Sequence, residues 1–130
     1  MKQKKLIMIV DDDQELLEEL DEFLAGSGYR TVIFDNGTEV SRAARELQPD
    51  LILLDLKMEG KSGFVTATEL TRVETTKYIP ILGMTGYYKD RGSALLMNIC
   101  GFQGFLIKPF DPQRLQSKIC LLYTSDAADE

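Results

Sequence analysis

The sequence predicts an α/β domain of five strand–helix units, (βα)5, whose parallel sheet is doubly wound, with helices on both faces. Three observations predict it. Short apolar runs alternate with segments of helical periodicity along 130 residues, a length that suits one domain. The run Leu51-Ile52-Leu53-Leu54 is apolar on both faces, as a strand buried between two helical layers must be. The connections are short, and strand–helix alternation of that kind builds parallel sheets with function in the crevice at the strands' C-terminal ends.

Lys5 to Val10 forms the first strand. Gln14 to Leu24 then sets Leu16, Leu17, Leu20, Phe23 and Leu24 at helical spacing before Gly26 and Gly28. The β-branched and aromatic run Thr31-Val32-Ile33-Phe34 is the second strand, closed by a turn at Asp35-Asn36-Gly37. Val40, Ala43, Ala44 and Leu47 mark the second helix, which stops before Pro49 because proline disfavours helical geometry in the residue before it. The third strand, Leu51 to Leu54, delivers Asp55 at its C-terminal end. Ser62 to Arg72 is the third helix, and Ile79 to Met84 the fourth strand despite Pro80 and Gly83. Arg91 to Ile99 is the fourth helix, and Phe105-Leu106-Ile107 the fifth strand. Asp111-Pro112 supplies an N-cap and a first-turn proline for a fifth helix through Leu115 and Ile119.

Composition narrows the function classes. No apolar run is long enough to cross a bilayer, and the basic N-terminus leads into aspartates rather than a cleavage site, so no membrane role and no export signal are expected. A net charge of −6 argues against direct nucleic-acid binding by this domain. With no histidine, and with Cys100 and Cys120 lacking metal spacing, imidazole zinc sites and histidine-activated nucleophiles are closed, and a reducing, cytoplasmic setting fits. Cys100 reads as a buried small apolar residue.

Residues 120–130, Cys120 through Glu130, resemble a translated reading frame of a transposase adaptor used in shotgun DNA sequencing. The expectation is a domain over 1–119 and a non-native tail over 120–130. Without the tail the charge falls from −6 to −3, since Asp126, Asp129 and Glu130 go and no base does. Natural sequence past Ile119 would then be unseen, including any output domain.

The predicted strand ends bring Asp11, Asp12, Asp13, Asp55, Thr85 and Lys108 to one place. Clustered carboxylates repel unless a cation sits among them, and oxygen ligands at this density suit Mg²⁺. A carboxylate beside such a metal can attack a phosphoryl group, with the metal, Lys108 and the Thr85 hydroxyl stabilising the developing charge. Asp55 is the candidate nucleophile. The bland readings are specific too: Asp13, before Gln14-Glu15, is a helix N-cap, Phe105 fits plain core, and Lys108 fits a solvated strand end.

Ile9-Val10-Asp11-Asp12-Asp13, Asp50-Leu51-Ile52-Leu53-Leu54-Asp55, Met84-Thr85 and Lys108-Pro109-Phe110 together resemble the receiver domains of two-component response regulators, from about Lys5 to Ile119. The resemblance implies a flavodoxin-like, CheY-like fold with strand order 2-1-3-4-5. It implies Mg²⁺ held by Asp11, Asp12, Asp55 and the Lys57 backbone carbonyl, with Asp12 the direct ligand of the acidic pair. Asp55 would be the phosphoacceptor, Thr85 and Lys108 would bind phosphoryl oxygens, and Thr85 with Phe105 would form the switch. The Lys108–Pro109 bond would be cis. A sensor histidine kinase or phosphotransfer protein would donate, and a downstream effector, an output domain or a phosphorylation-dependent dimer would respond. Such a domain catalyses only its own phosphorylation and dephosphorylation.

The sequence departs from the family at Glu59, where proline is usual, at Gly86, where alanine is usual, and at Phe105, where tyrosine is common. Lys57 and Tyr87, two positions past Asp55 and Thr85, would overhang the phosphoryl group and slow its hydrolysis. Two other readings stay open: an aspartate-nucleophile phosphatase of the haloacid dehalogenase type, which expects a second aspartate where Lys57 stands, and a receiver-like interaction module that is never phosphorylated.

Overall fold

The computed structural model describes residues 4–58, 60–86 and 99–128, with side chains as far as residue 122. Its elements are β1 (Leu6–Val10), α1 (Gln14–Gly26), β2 (Arg30–Phe34), α2 (Val40–Leu47), β3 (Leu51–Asp55), α3 (Gly63–Arg72), β4 (Ile81–Thr85), β5 (Gly104–Ile107) and a C-terminal helix (Pro112–Ala128). All strand pairs are parallel, in the order β2-β1-β3-β4-β5. The predicted helix over 91–99 lies outside the described residues except for Ile99.

The period of two along each strand divides the core. Ile7, Ile9, Leu51, Leu53, Leu82 and Met84 face one side, packed with Leu17, Leu20 and Leu24 of α1 and Leu115 and Ile119 of the C-terminal helix. Met8, Val10, Ile52 and Leu54 face the other, packed with Val40 and Ala44 of α2 and Ala67 and Leu70 of α3. Neither face of β1 or β3 meets water, which is why both read as unbroken apolar runs.

Local chemistry sets the helix ends. The Asp13 carboxylate caps α1 by accepting from the N–H groups of Glu15 and Leu16, at 3.1 and 3.3 Å. α2 ends where Gln48 turns left-handed, φ 48°, immediately before Pro49. Asp111 accepts from Gln113 N–H at 2.9 Å, with Pro112 in the first helical position.

Several boundaries differ from expectation, and three have a clear physical reason. Ser62 is the N-cap of α3 rather than its first residue, its hydroxyl accepting from Val65 N–H. β4 is Ile81–Thr85 rather than Ile79–Met84: Pro80 has no N–H for the ladder and contributes only its carbonyl, which accepts from Ile52 N–H at 3.0 Å. The C-terminal helix continues past Ile119 to Ala128, no proline or glycine interrupting it. Gly83 earns its place inside β4 by close packing, since a Cβ there would lie 3.2 Å from both Leu56 and Phe102. Cys100 is half-buried against the α2–α3 side of the core rather than fully enclosed.

Candidate functional site at the strand ends

Strand register assembles the site. Val10 pairs with Leu54, so the next residues, Asp11 and Asp55, leave adjacent strands together. Thr85 pairs with Ile107, which carries Lys108 out beside them, and Lys108 N–H donates to the Thr85 carbonyl at 2.6 Å. One carboxylate oxygen from each of Asp11, Asp12 and Asp55 lies within 4.8 Å of the others.

The three acids are not equivalent. Asp11 is fully buried and both its oxygens are engaged: Oδ1 accepts from Asp13 N–H at 2.9 Å and Oδ2 from Lys108 Nζ at 2.6 Å. Asp12 is exposed. Asp55 is 4% exposed, its Oδ1 accepting from Lys57 N–H at 3.2 Å and lying 3.6 Å from Lys108 Nζ. Burial, then the Asp11 charge, pushes Asp55 up from 3.8 to about 6 against the pull of Lys108 and the Lys57 N–H, with Asp12 adding a smaller push. Burial alone would lower Lys108, but its hydrogen bond to Asp11 and the charges of Asp11 and Asp55 outweigh that and raise it.

Of the predicted residues, Asp11, Asp12, Asp55, Thr85 and Lys108 meet at these strand ends. Thr85 is buried at the end of β4. Phe105, opposite Gly83, is half-buried against the α2–α3 side of the core. Lys57 is exposed just past Asp55, and the Lys108–Pro109 bond is cis. Glu59 and Tyr87 lie outside the described residues. Asp13 sits at the helix cap rather than among the clustered acids.

Gly63 was given no role from sequence. A Cβ on it would lie 2.2 Å from the Asp55 carbonyl oxygen and 2.8 Å from Leu56 Cα, so α3 can start against the back of the site only with glycine there. A glycine in the first position of a helix, where propensity disfavours it, is the signal that marks such a contact.

Residues 7–120 match the family model described as the response regulator receiver domain. The chain belongs to that family. Phosphorylation and Mg²⁺ are general features of receiver domains in two-component signalling. The chain is 34% identical over 116 residues to the DNA-binding response regulator MtrA of Mycobacterium tuberculosis, covering 89% of this chain and 49% of that one. It is 32% identical over 123 residues to the probable transcriptional regulator ycf29 of Porphyra purpurea, covering 93% and 57%. This receiver thus spans about half the length of these curated relatives. Among solved structures it resembles a two-component response regulator from Clostridium difficile (TM-score 0.85, 25% identity, 93% and 97% covered). It shares its fold with the receiver domain of a Pseudomonas aeruginosa sensor histidine kinase that has a magnesium ion coordinated in its active-site cleft (TM-score 0.80, 24% identity, 88% and 93% covered). The receiver assignment stands over the phosphatase reading, whose second aspartate is Lys57 here.

Proposed function

We propose that Asp55 is the phosphoacceptor of this receiver and that its donor is a sensor histidine kinase or phosphotransfer protein. The observation that carries the reading is Lys108 Nζ set between Asp11 and Asp55, with a third carboxylate, Asp12, within reach of both. One Asp55 oxygen bonds to phosphorus as the P–N bond of the donor's phosphohistidine breaks and its electron pair returns to the imidazole. Lys108 and the Thr85 hydroxyl bind phosphoryl oxygens, and Lys57 N–H holds the Asp55 carboxylate in place.

The donor set fits Mg²⁺: hard carboxylate oxygens, close-set, with one acid open to solvent. Asp12 and Asp55 would hold it with the Lys57 carbonyl. Asp11, both of whose oxygens are already engaged, would support it from behind Asp12. When bound, the ion supplies charge neutralisation for the phosphoryl oxygens. Thr85 and Phe105 transmit occupancy to a downstream effector, an output domain or a second copy of the receiver.

We take residues 1–119 as the receiver and 120–130 as the adaptor-derived tail, from the likeness of the Cys120–Glu130 sequence to the translated adaptor. A cytoplasmic location, and chemistry limited to the domain's own phosphorylation and dephosphorylation, are part of this receiver reading; no helix among the described residues is long and apolar enough to cross a membrane.

Incubation with acetyl phosphate and Mg²⁺, read by intact mass, tests the assignment. A single phosphoryl adduct is expected in the wild type and none in Asp55→Asn. An adduct that survives in Asp55→Asn refutes the acceptor, and no adduct in the wild type favours the non-phosphorylated module.

A further inference from the structure

A backbone carbonyl that serves as a metal ligand has no side chain to aim it, so the course of its loop must. Lys57 lies in the β3–α3 loop, between buried Leu56 and Met58. Three residues on, Gly60 turns with φ +79°, and a Cβ there would meet no described atom within 4 Å, which leaves this turn between Lys57 and α3 free to vary.

The chain is tied down again just past that point. Lys61 Nζ lies 2.5 Å from Glu69 Oε1, and the Ser41 hydroxyl of α2 donates to the same oxygen at 2.9 Å. One carboxylate oxygen thus joins the loop, α3 and α2. The turn before α2 presses on the same segment: a Cβ on Gly37 would lie 3.3 Å from the Lys61 carbonyl, 3.6 Å from Met58 Cε and 2.6 Å from Thr66 Oγ1. The hydrogen bond from Lys61, opposed by burial and aided by Ser41, holds the Glu69 carboxyl below its ordinary range. A lone surface ion pair does little, but this one is shared by three elements, and the Lys61 side chain is only 25% exposed.

We propose that Glu69 is a positioning residue for the metal site: through Lys61 and Ser41 it clamps the β3–α3 loop and so fixes the course of the Lys57 carbonyl. The clamp rests on the Mg²⁺ reading of Asp12, Asp55 and Lys57 given above. None of Ser41, Lys61 and Glu69 belongs to the cluster of Asp11, Asp12 and Asp55.

Three measurements on the whole chain test it: Mg²⁺ affinity by calorimetric titration, amide hydrogen exchange at Lys57 and Met58 in metal-free protein, and the urea midpoint. The variants are Lys61→Met, Glu69→Gln, which keeps an acceptor for Ser41, their double, and Asp12→Asn. Each single clamp variant should weaken Mg²⁺ binding about threefold to tenfold, less than the loss of a direct outer-shell partner, and the double should be no worse than either. Exchange at Lys57 and Met58 should quicken while the urea midpoint holds. Affinity within about twofold of wild type in both singles, or losses that add in the double, overturns the clamp. So does a loss of affinity that only tracks a falling urea midpoint. In those cases loss of binding in Asp12→Asn leaves the metal site standing, whereas a wild type that binds no Mg²⁺ overturns both.

Discussion

Replacing Asp55 by asparagine should stabilise the metal-free domain at neutral pH. The Asp55 carboxyl is almost fully buried and raised from 3.8 to about 6, chiefly by burial and then by the Asp11 charge. An acid raised on folding holds its proton more tightly in the native than in the unfolded chain. Its contribution is therefore intact below about pH 3.8, falls as pH rises towards 6, and stays low above that. A separation of about two pH units corresponds to at most about 3 kcal/mol. Asparagine keeps an oxygen for Lys57 N–H and removes the charge, so Asp55→Asn should gain about 1–3 kcal/mol at pH 7.5 in EDTA. The assay is urea denaturation followed by far-UV circular dichroism, since the chain has no tryptophan. The gain should shrink towards zero near pH 4, and saturating Mg²⁺ should narrow it at pH 7.5 by stabilising the wild type. A variant no more stable than wild type at pH 7.5 in EDTA, or a gap unchanged on acidification, would refute the electrostatic account.

Gly63 and Lys108 give consequences of the same geometry, and the positions of Lys57 and Tyr87 in the sequence give one more. Gly63→Ala drives a methyl into the Asp55 carbonyl and should cost at least about 1–3 kcal/mol in urea denaturation while slowing phosphorylation by acetyl phosphate. Lys108→Met leaves Asp11 buried beside Asp55 without its cation, a loss of about 3–5 kcal/mol in EDTA that Mg²⁺ should partly restore. Lys57→Ala and Tyr87→Ala should each shorten the acyl-phosphate lifetime, followed as phosphate release from the purified phosphorylated domain. Lifetimes equal to wild type in both would remove their screening role.

Side-chain periodicity and turn chemistry carried the architecture because they are local. The unbroken apolar runs of β1 and β3, the Asp13 and Asp111 caps and the stop before Pro49 each depend on a few neighbouring residues. Once five strands are parallel, their C-terminal ends share one edge, so Asp11, Asp55, Thr85 and Lys108 could be gathered before any contact was known. Their order along the chain also carries the family resemblance, and the family match extends over the same span.

Long-range packing decided the rest. Asp11 and Asp12 are neighbours in sequence, yet one is sealed in with both oxygens engaged and the other faces solvent; that division depends on Lys108 reaching Asp11 from the end of β5 and on the Asp13 N–H turning back to it. Gly63, Gly83 and the meeting of Ser41, Lys61 and Glu69 are contacts between elements, with no local period to announce them. Sequence alone thus settled which groups stand at the strand ends, because strand direction is a local property repeated five times. The tertiary structure settled which of them are buried, paired and held, because burial belongs to the whole packed molecule.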